Sequence, residues 1–139
     1  MRIVLSLLFG AIAAFLIIMA VEWVDAWFYP LPGLAEGSDT DADAAATIIA
    51  TMPLPAKIIV VLGWLLGALG GAWMALRISD RQWTGWVIVA VVIAGGVTNL
   101  FALPHPLWMQ ACTFLMPIAG GAIATRWHRK YYPGEALLG

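Results

Sequence analysis

"IIVVLGWLLGALGGAWMAL", residues 58–76, runs nineteen positions without a charged side chain, and two of its features decide the architecture. Its length is that of a helix able to cross a hydrocarbon core, which takes about 20 predominantly apolar residues. Gly63, Gly67, Gly71 and Ala75 recur at every fourth position, which aligns them on one helix face as a smooth strip where another backbone can come close. The stretch therefore predicts a membrane span with a tight packing seam.

Three more runs of the same kind lie outward from it, at about 3–21, 83–102 and 107–125. Of the 139 residues, 63% are hydrophobic and 11% charged, against roughly 25% charged in an average soluble domain. The mean hydropathy is +0.91. An ordinary soluble domain is excluded, and little but connections remains between the runs. The expectation is an all-α membrane protein with a single domain over 1–139. Its form is an antiparallel up-down bundle of four transmembrane helices, since in lipid the backbone must satisfy itself within helices. The first run exceeds the 7–15 residues of a signal-peptide core and leads into no clear cleavage site, so it reads as a span.

Shorter small-residue pairs repeat the four-residue spacing at Gly10 and Ala14, Ala90 and Ala94, and Gly120 and Ala124. Such pairs predict close helix contacts, and spacing leaves open whether these form within one chain or between chains.

Positive residues set the orientation, because they favour the cytoplasmic side of short loops. Arg2, Arg77, Arg81, Arg126, Arg129 and Lys130 fall on one side of the four runs and Lys57 alone on the other. Both termini are expected in the cytoplasm. Glu22, Asp25, Glu36, Asp39, Asp41 and Asp43 fall on the outer side. Tryptophan and tyrosine mark two levels, with Trp23, Trp27, Tyr29 and Trp108 outside and Trp73, Trp83, Trp86, Trp127, Tyr131 and Tyr132 inside. This is the distribution of interfacial anchoring belts. Trp64 alone sits clearly within a span.

The outer connection between the first two runs contains "SDTDADAAATIIATMP", residues 38–53. Ser38 with Asp41 forms a capping-box pattern, and Ala45, Ile48, Ile49 and Met52 share a face at helical spacing. A short amphipathic interfacial helix at about 39–52 is expected. Asp39, Asp41 and Asp43 imitate the start of a calcium loop, but Ala44 stands where the sharp turn needs Gly and Ala50 where a bidentate Glu is needed. No metal site is read there.

Three Pro-x-Pro turns, at 30–32, 53–55 and 104–106, all belong to the outer side. Proline fixes its own φ and disfavours helix in the residue before it, so the turns stop the first and third runs and lead into the second and fourth. At the same level five polar residues should meet: Glu22 and Asp25 on one face of the first helix, Lys57, Asn99 and His105. Ionisable groups at membrane depth are functional candidates, and near the interface they equally form structural networks. Lys57 opens the second span, where the helix dipole disfavours a cation, so it is expected to pair with Glu22 or Asp25.

Other chemistries fail on arithmetic. Seven helical residues separate His105 from Cys112 by about 10 Å, beyond the reach of a nucleophile and its base. His105 and His128 lie on opposite sides, which excludes a shared metal or haem in one chain. There is no phosphate-cradling or dinucleotide motif and no basic face for nucleic acid, and no cofactor is implied. Arg126, Arg129 and Lys130 suit anionic lipid headgroups.

The order of "EW" (22–23), "YPLPG" (29–33), "MPLPAK" (52–57), "TNL" (98–100) and "PHPLW" (104–108) resembles a family of small bacterial membrane proteins with four predicted helices and no established activity. The resemblance implies a bacterial inner membrane and groups Glu22, Asn99 and His105 in one outer cluster. The functional expectation is a non-enzymatic membrane component, either an accessory or structural subunit of a complex or a self-associating bundle, with other membrane subunits or itself as partner. Its rival is a small proton- or cation-linked transporter or channel with an outer Glu/Asp/His site.

Overall fold

The structure is a computed structural model, and it describes residues 1–30, 47, 49–102 and 105–128. Among the described residues four long helices make up the fold: α1 (Arg2–Phe28), α2 (Leu54–Ser79), α3 (Gln82–Ala102) and α4 (Leu107–Trp127). No strand occurs among the described residues. All four helices are long and apolar enough to cross a membrane, and the four apolar runs lie inside them.

Proline sets the ends as the sequence implies. The α1 helix continues to Phe28 and closes with the Tyr29 amide donating to the Asp25 carbonyl at 2.8 Å, one residue before Pro30. Pro53 and Pro106 are the N-cap residues of α2 and α4, both in extended conformation. Their missing N–H costs nothing there, because the first amides of a helix have no intrahelical acceptor. Of the interfacial helix expected at about 39–52, residues 47 and 49–51 are helical, with the Thr51 hydroxyl donating to the Thr47 carbonyl at 2.9 Å. Met52 is buried beneath it. Residues 39–46 and 48 lie outside the described residues, as do Pro32 and Pro104.

The α2 helix forms the core of the bundle. It packs on all three others, α3 does the same, and no interface of comparable size joins α1 to α4. In cross-section α2 and α3 make the short diagonal, with α1 and α4 at opposite corners. The small-residue strip of α2 faces α1. A methyl group at Gly71 would sit 2.6 Å from the Gly10 carbonyl oxygen and 2.7 Å from Ala14 Cβ, and one at Gly67 would sit 2.5 Å from the Ile18 side chain. Gly63 lies against Val21, so partners on α2 fall in number as those on α1 rise.

Gly120 closes the other flank, where an added methyl would stand 2.5 Å from the Leu65 carbonyl oxygen, and Ala124 is buried with Ala72, Leu76 and Val89. The strips at Gly10/Ala14, Gly63/Gly67/Gly71/Ala75 and Gly120/Ala124 thus interlock inside one chain. Ala90 and Ala94 are the exception and stand exposed on α3.

At the end of the bundle around residue 80, polar groups lock the α2–α3 turn. Asp80 caps α2 with φ 60°, a left-handed conformation that Asp tolerates better than most side chains. The Ser79 and buried Thr84 hydroxyls stand 2.7 Å apart, with the Ala75 and Arg81 carbonyls as acceptors at 2.9 and 2.7 Å. His128 Nε2, at the end of α4, lies 3.4 Å from Asp80 Oδ1. Within the helices Thr98, Thr113 and Thr125 donate to the carbonyl four residues back, which satisfies their hydroxyls in apolar surroundings.

Candidate functional site

The opposite end of the bundle holds the polar residues singled out above. There a cleft of about 290 Å³ opens between α1 and α3. One wall is α1 from Ala11 to Glu22, the other is α3 from Val91 to Asn99, and the Trp64 ring of α2 lies behind. At 1.5 Å of rise per residue the α1 wall is about 16 Å long.

Small residues create this space. A methyl group built on Gly95 would meet no heavy atom within 4 Å, and the neighbouring Gly96 and Ala14 are buried. Phe15, Met19 and Val91 stand exposed along the mouth, so the cleft opens sideways between two helices and not into a closed core. Its chemistry is divided. The shaft is apolar, and the polar groups, Glu22 and Asn99, gather at one end.

Glu22 and Asn99 share the cleft and are both partly buried. Asp25 lies one turn further along α1, at 5% exposure, and its Oδ1 is buried without a hydrogen-bond partner among the described residues. A buried carboxylate oxygen left without a donor is costly to stability.

Lys57 forms no ion pair with Glu22 or Asp25 among the described residues. Glu22 turns toward α3 in the cleft, whereas Lys57 sits at the start of α2. His105 is buried at 8% exposure beside Trp64, with ring centroids 6.4 Å apart. Trp64, at 4% exposure, thereby has the cleft and the histidine as neighbours. His105 is thus turned into the bundle, and its carbonyl accepts a bond from Gln110 Nε2 at 2.8 Å, which ties the turn to the first coil of α4.

Three elements of this region escape a reading of the sequence. Trp64 passes for ordinary apolar filling of a span, Gln110 belongs to no motif, and Gly95 passes for composition. The one available signal is Trp64 itself, the only tryptophan set within a span and away from the two interfacial levels.

No group of three His, Cys, Asp or Glu side chains able to hold a metal occurs among the described residues. Cys112 packs with Val61, Trp64 and Met109 as an apolar side chain. What the cleft can do is bind: it offers an apolar shaft and a polar, acidic end. No family model, curated protein or solved structure matches this chain, so its function has to be read from this geometry.

Proposed function

We propose that the protein is a multi-pass protein of the bacterial inner membrane, an antiparallel up-down four-helix bundle with both termini in the cytoplasm. It works there as a non-enzymatic accessory subunit of a larger membrane complex. The observation that carries this reading is the contrast between its inside and its outside. Internal seams are closed to backbone contact at Gly10, Gly71 and Gly120, while α1 leaves Val4, Leu8, Ile12, Phe15 and Trp23 exposed along its length. An exposed apolar face of that extent belongs in lipid or against another apolar helix.

Self-association through the long glycine strip loses its support, because that strip is occupied by α1. The small-residue pair still available to a partner helix is Ala90 and Ala94 on α3. Arg126 stands exposed at the end of α4, where with Arg129 and Lys130 it would meet anionic headgroups.

Two measurements test the proposal. In a Cys112→Ala background, a membrane-impermeant maleimide added to intact cells should label Pro30→Cys and leave Arg81→Cys unlabelled until the cells are opened; the reverse pattern overturns the topology. Purification in mild detergent should recover the chain with a second membrane protein. A strictly monomeric particle with no companion overturns the subunit role.

A second reading, a proton- or cation-linked transporter, draws on Glu22 and Asn99 in the cleft and the unpartnered Asp25 oxygen. Against it stands the lack of charge near the middle of the helices, where transporter sites usually lie. Absence of proton or cation flux in proteoliposomes would end it.

A further inference from the structure

We propose that the α1–α3 cleft is a binding site for one chain of a phospholipid that carries a primary ammonium head group. The inference goes beyond the subunit role and rests on the membrane reading above.

The first argument is dimensional. From Glu22 down to Ala11 the cleft runs about 16 Å, and one leaflet of hydrocarbon is about 15 Å deep, half of a core roughly 30 Å thick. Its polar end lies at the turns, where a head group would be, and its apolar shaft reaches the middle of the bundle. An opening along Phe15, Met19 and Val91 faces outward, so a lipid enters sideways from the bilayer without passing through water.

The second argument is charge. The head end carries one carboxylate within the cleft, Glu22, which forms no ion pair with Lys57 among the described residues. An ammonium brings three N–H donors to such a place. A phosphoglycerol head brings only further negative charge, and a choline head has no N–H to donate. Asn99, on the facing helix, adds an amide that can bond the phosphate or glycerol oxygens.

The third argument is the empty space at Gly95. Every other glycine of the bundle has a heavy atom within 4 Å of the position its Cβ would take. At Gly95, an exposed position that lines the cleft, no described residue fills the space.

The test uses the full chain in phosphatidylcholine vesicles doped with a chain-photoactivatable phospholipid bearing an ethanolamine, choline or glycerol head, followed by peptide mapping of the adducts. Ethanolamine lipid should label the cleft walls, at Phe15, Met19 and Val91, in preference to the outer faces of α2 and α4. Gly95→Leu fills the void without touching the fold, as its unchanged helicity by circular dichroism should verify, and it should abolish that labelling. Glu22→Gln should lower the ethanolamine adduct about tenfold, the fold-change of one charge-assisted hydrogen bond, and lower the choline adduct by less, because a quaternary ammonium keeps its charge but donates no N–H. Equal labelling of wild type and Gly95→Leu overturns the site, since it is the mark of annular lipid. Cleft labelling that is the same for all three heads overturns the ammonium assignment. A chain that does not float with the vesicles overturns the membrane reading, and the lipid site with it.

Discussion

Gly71→Ala is the substitution that most directly probes how this bundle is held together. The added methyl would stand 2.6 Å from the Gly10 carbonyl oxygen, about 0.8 Å inside the 3.4 Å at which ordinary contact begins, with Ala14 Cβ at 2.7 Å and Ile88 Cγ2 at 2.9 Å. It is therefore wedged against α1 and α3 together, and its nearest neighbour is backbone, which cannot rotate away. Overpacking of this kind costs about 1–3 kcal/mol, and the helix propensity gained by replacing glycine returns about 0.5–1 kcal/mol. The net loss should be about 1–2 kcal/mol, roughly a 5- to 30-fold rise in the unfolded fraction.

Two glycines calibrate the expectation. Gly95→Ala meets nothing within 4 Å and should be neutral or slightly stabilising. Gly63→Ala meets the Val21 side chain at 3.2 Å, which can shift, so it should fall between the two. Unfolding in mixed micelles by increasing dodecyl sulfate, followed by tryptophan fluorescence, gives the order directly. A Gly71→Ala protein as stable as wild type, or a Gly95→Ala protein as damaged as Gly71→Ala, would refute the assignment of the strip to the α1 seam.

The same assay checks three further expectations. Thr84→Val removes a buried hydroxyl from between Ser79 and the Arg81 carbonyl and should cost about 1–2 kcal/mol; a neutral result would mean that this turn does not help hold α2 to α3. Asp80→Ala places an ordinary side chain at φ 60° and should cost about 1–2 kcal/mol, whereas Asp80→Asn, which tolerates that conformation, should lose less; equal losses would assign the effect to the His128 contact. Asp25→Leu removes a buried carboxylate with an unpartnered oxygen and should stabilise the detergent-solubilised chain by about 1–3 kcal/mol; a destabilised variant would show that the carboxylate has a donor in solution.

The polar end of the molecule shows how far a sequence of this kind can be read. That Glu22, Asn99 and His105 belong to one level follows from counting residues along the four runs, and the structure has them at the same end of the bundle. Which of them touch does not follow. Lys57 offered the obvious counter-charge to Glu22 and Asp25, yet Glu22 faces Asn99 across a cleft. His105, set between two prolines, is buried beside a tryptophan that sequence distance gives no reason to place there.

The sequence alone determines the number of helices, their ends and the existence of close seams, because each of these is written locally. Apolar length, proline punctuation and four-residue spacing of small side chains act within a few turns. The tertiary structure decides how each helix is turned about its axis and which one it meets. In a soluble helix an amphipathic stripe announces the buried face, but α1 is apolar on every side, so that signal is missing. The facing direction is settled only when backbones close on one another at Gly10, Gly71 and Gly120. The cleft between α1 and α3, at the end that carries Glu22 and Asn99, is likewise a product of tertiary packing that no local pattern records.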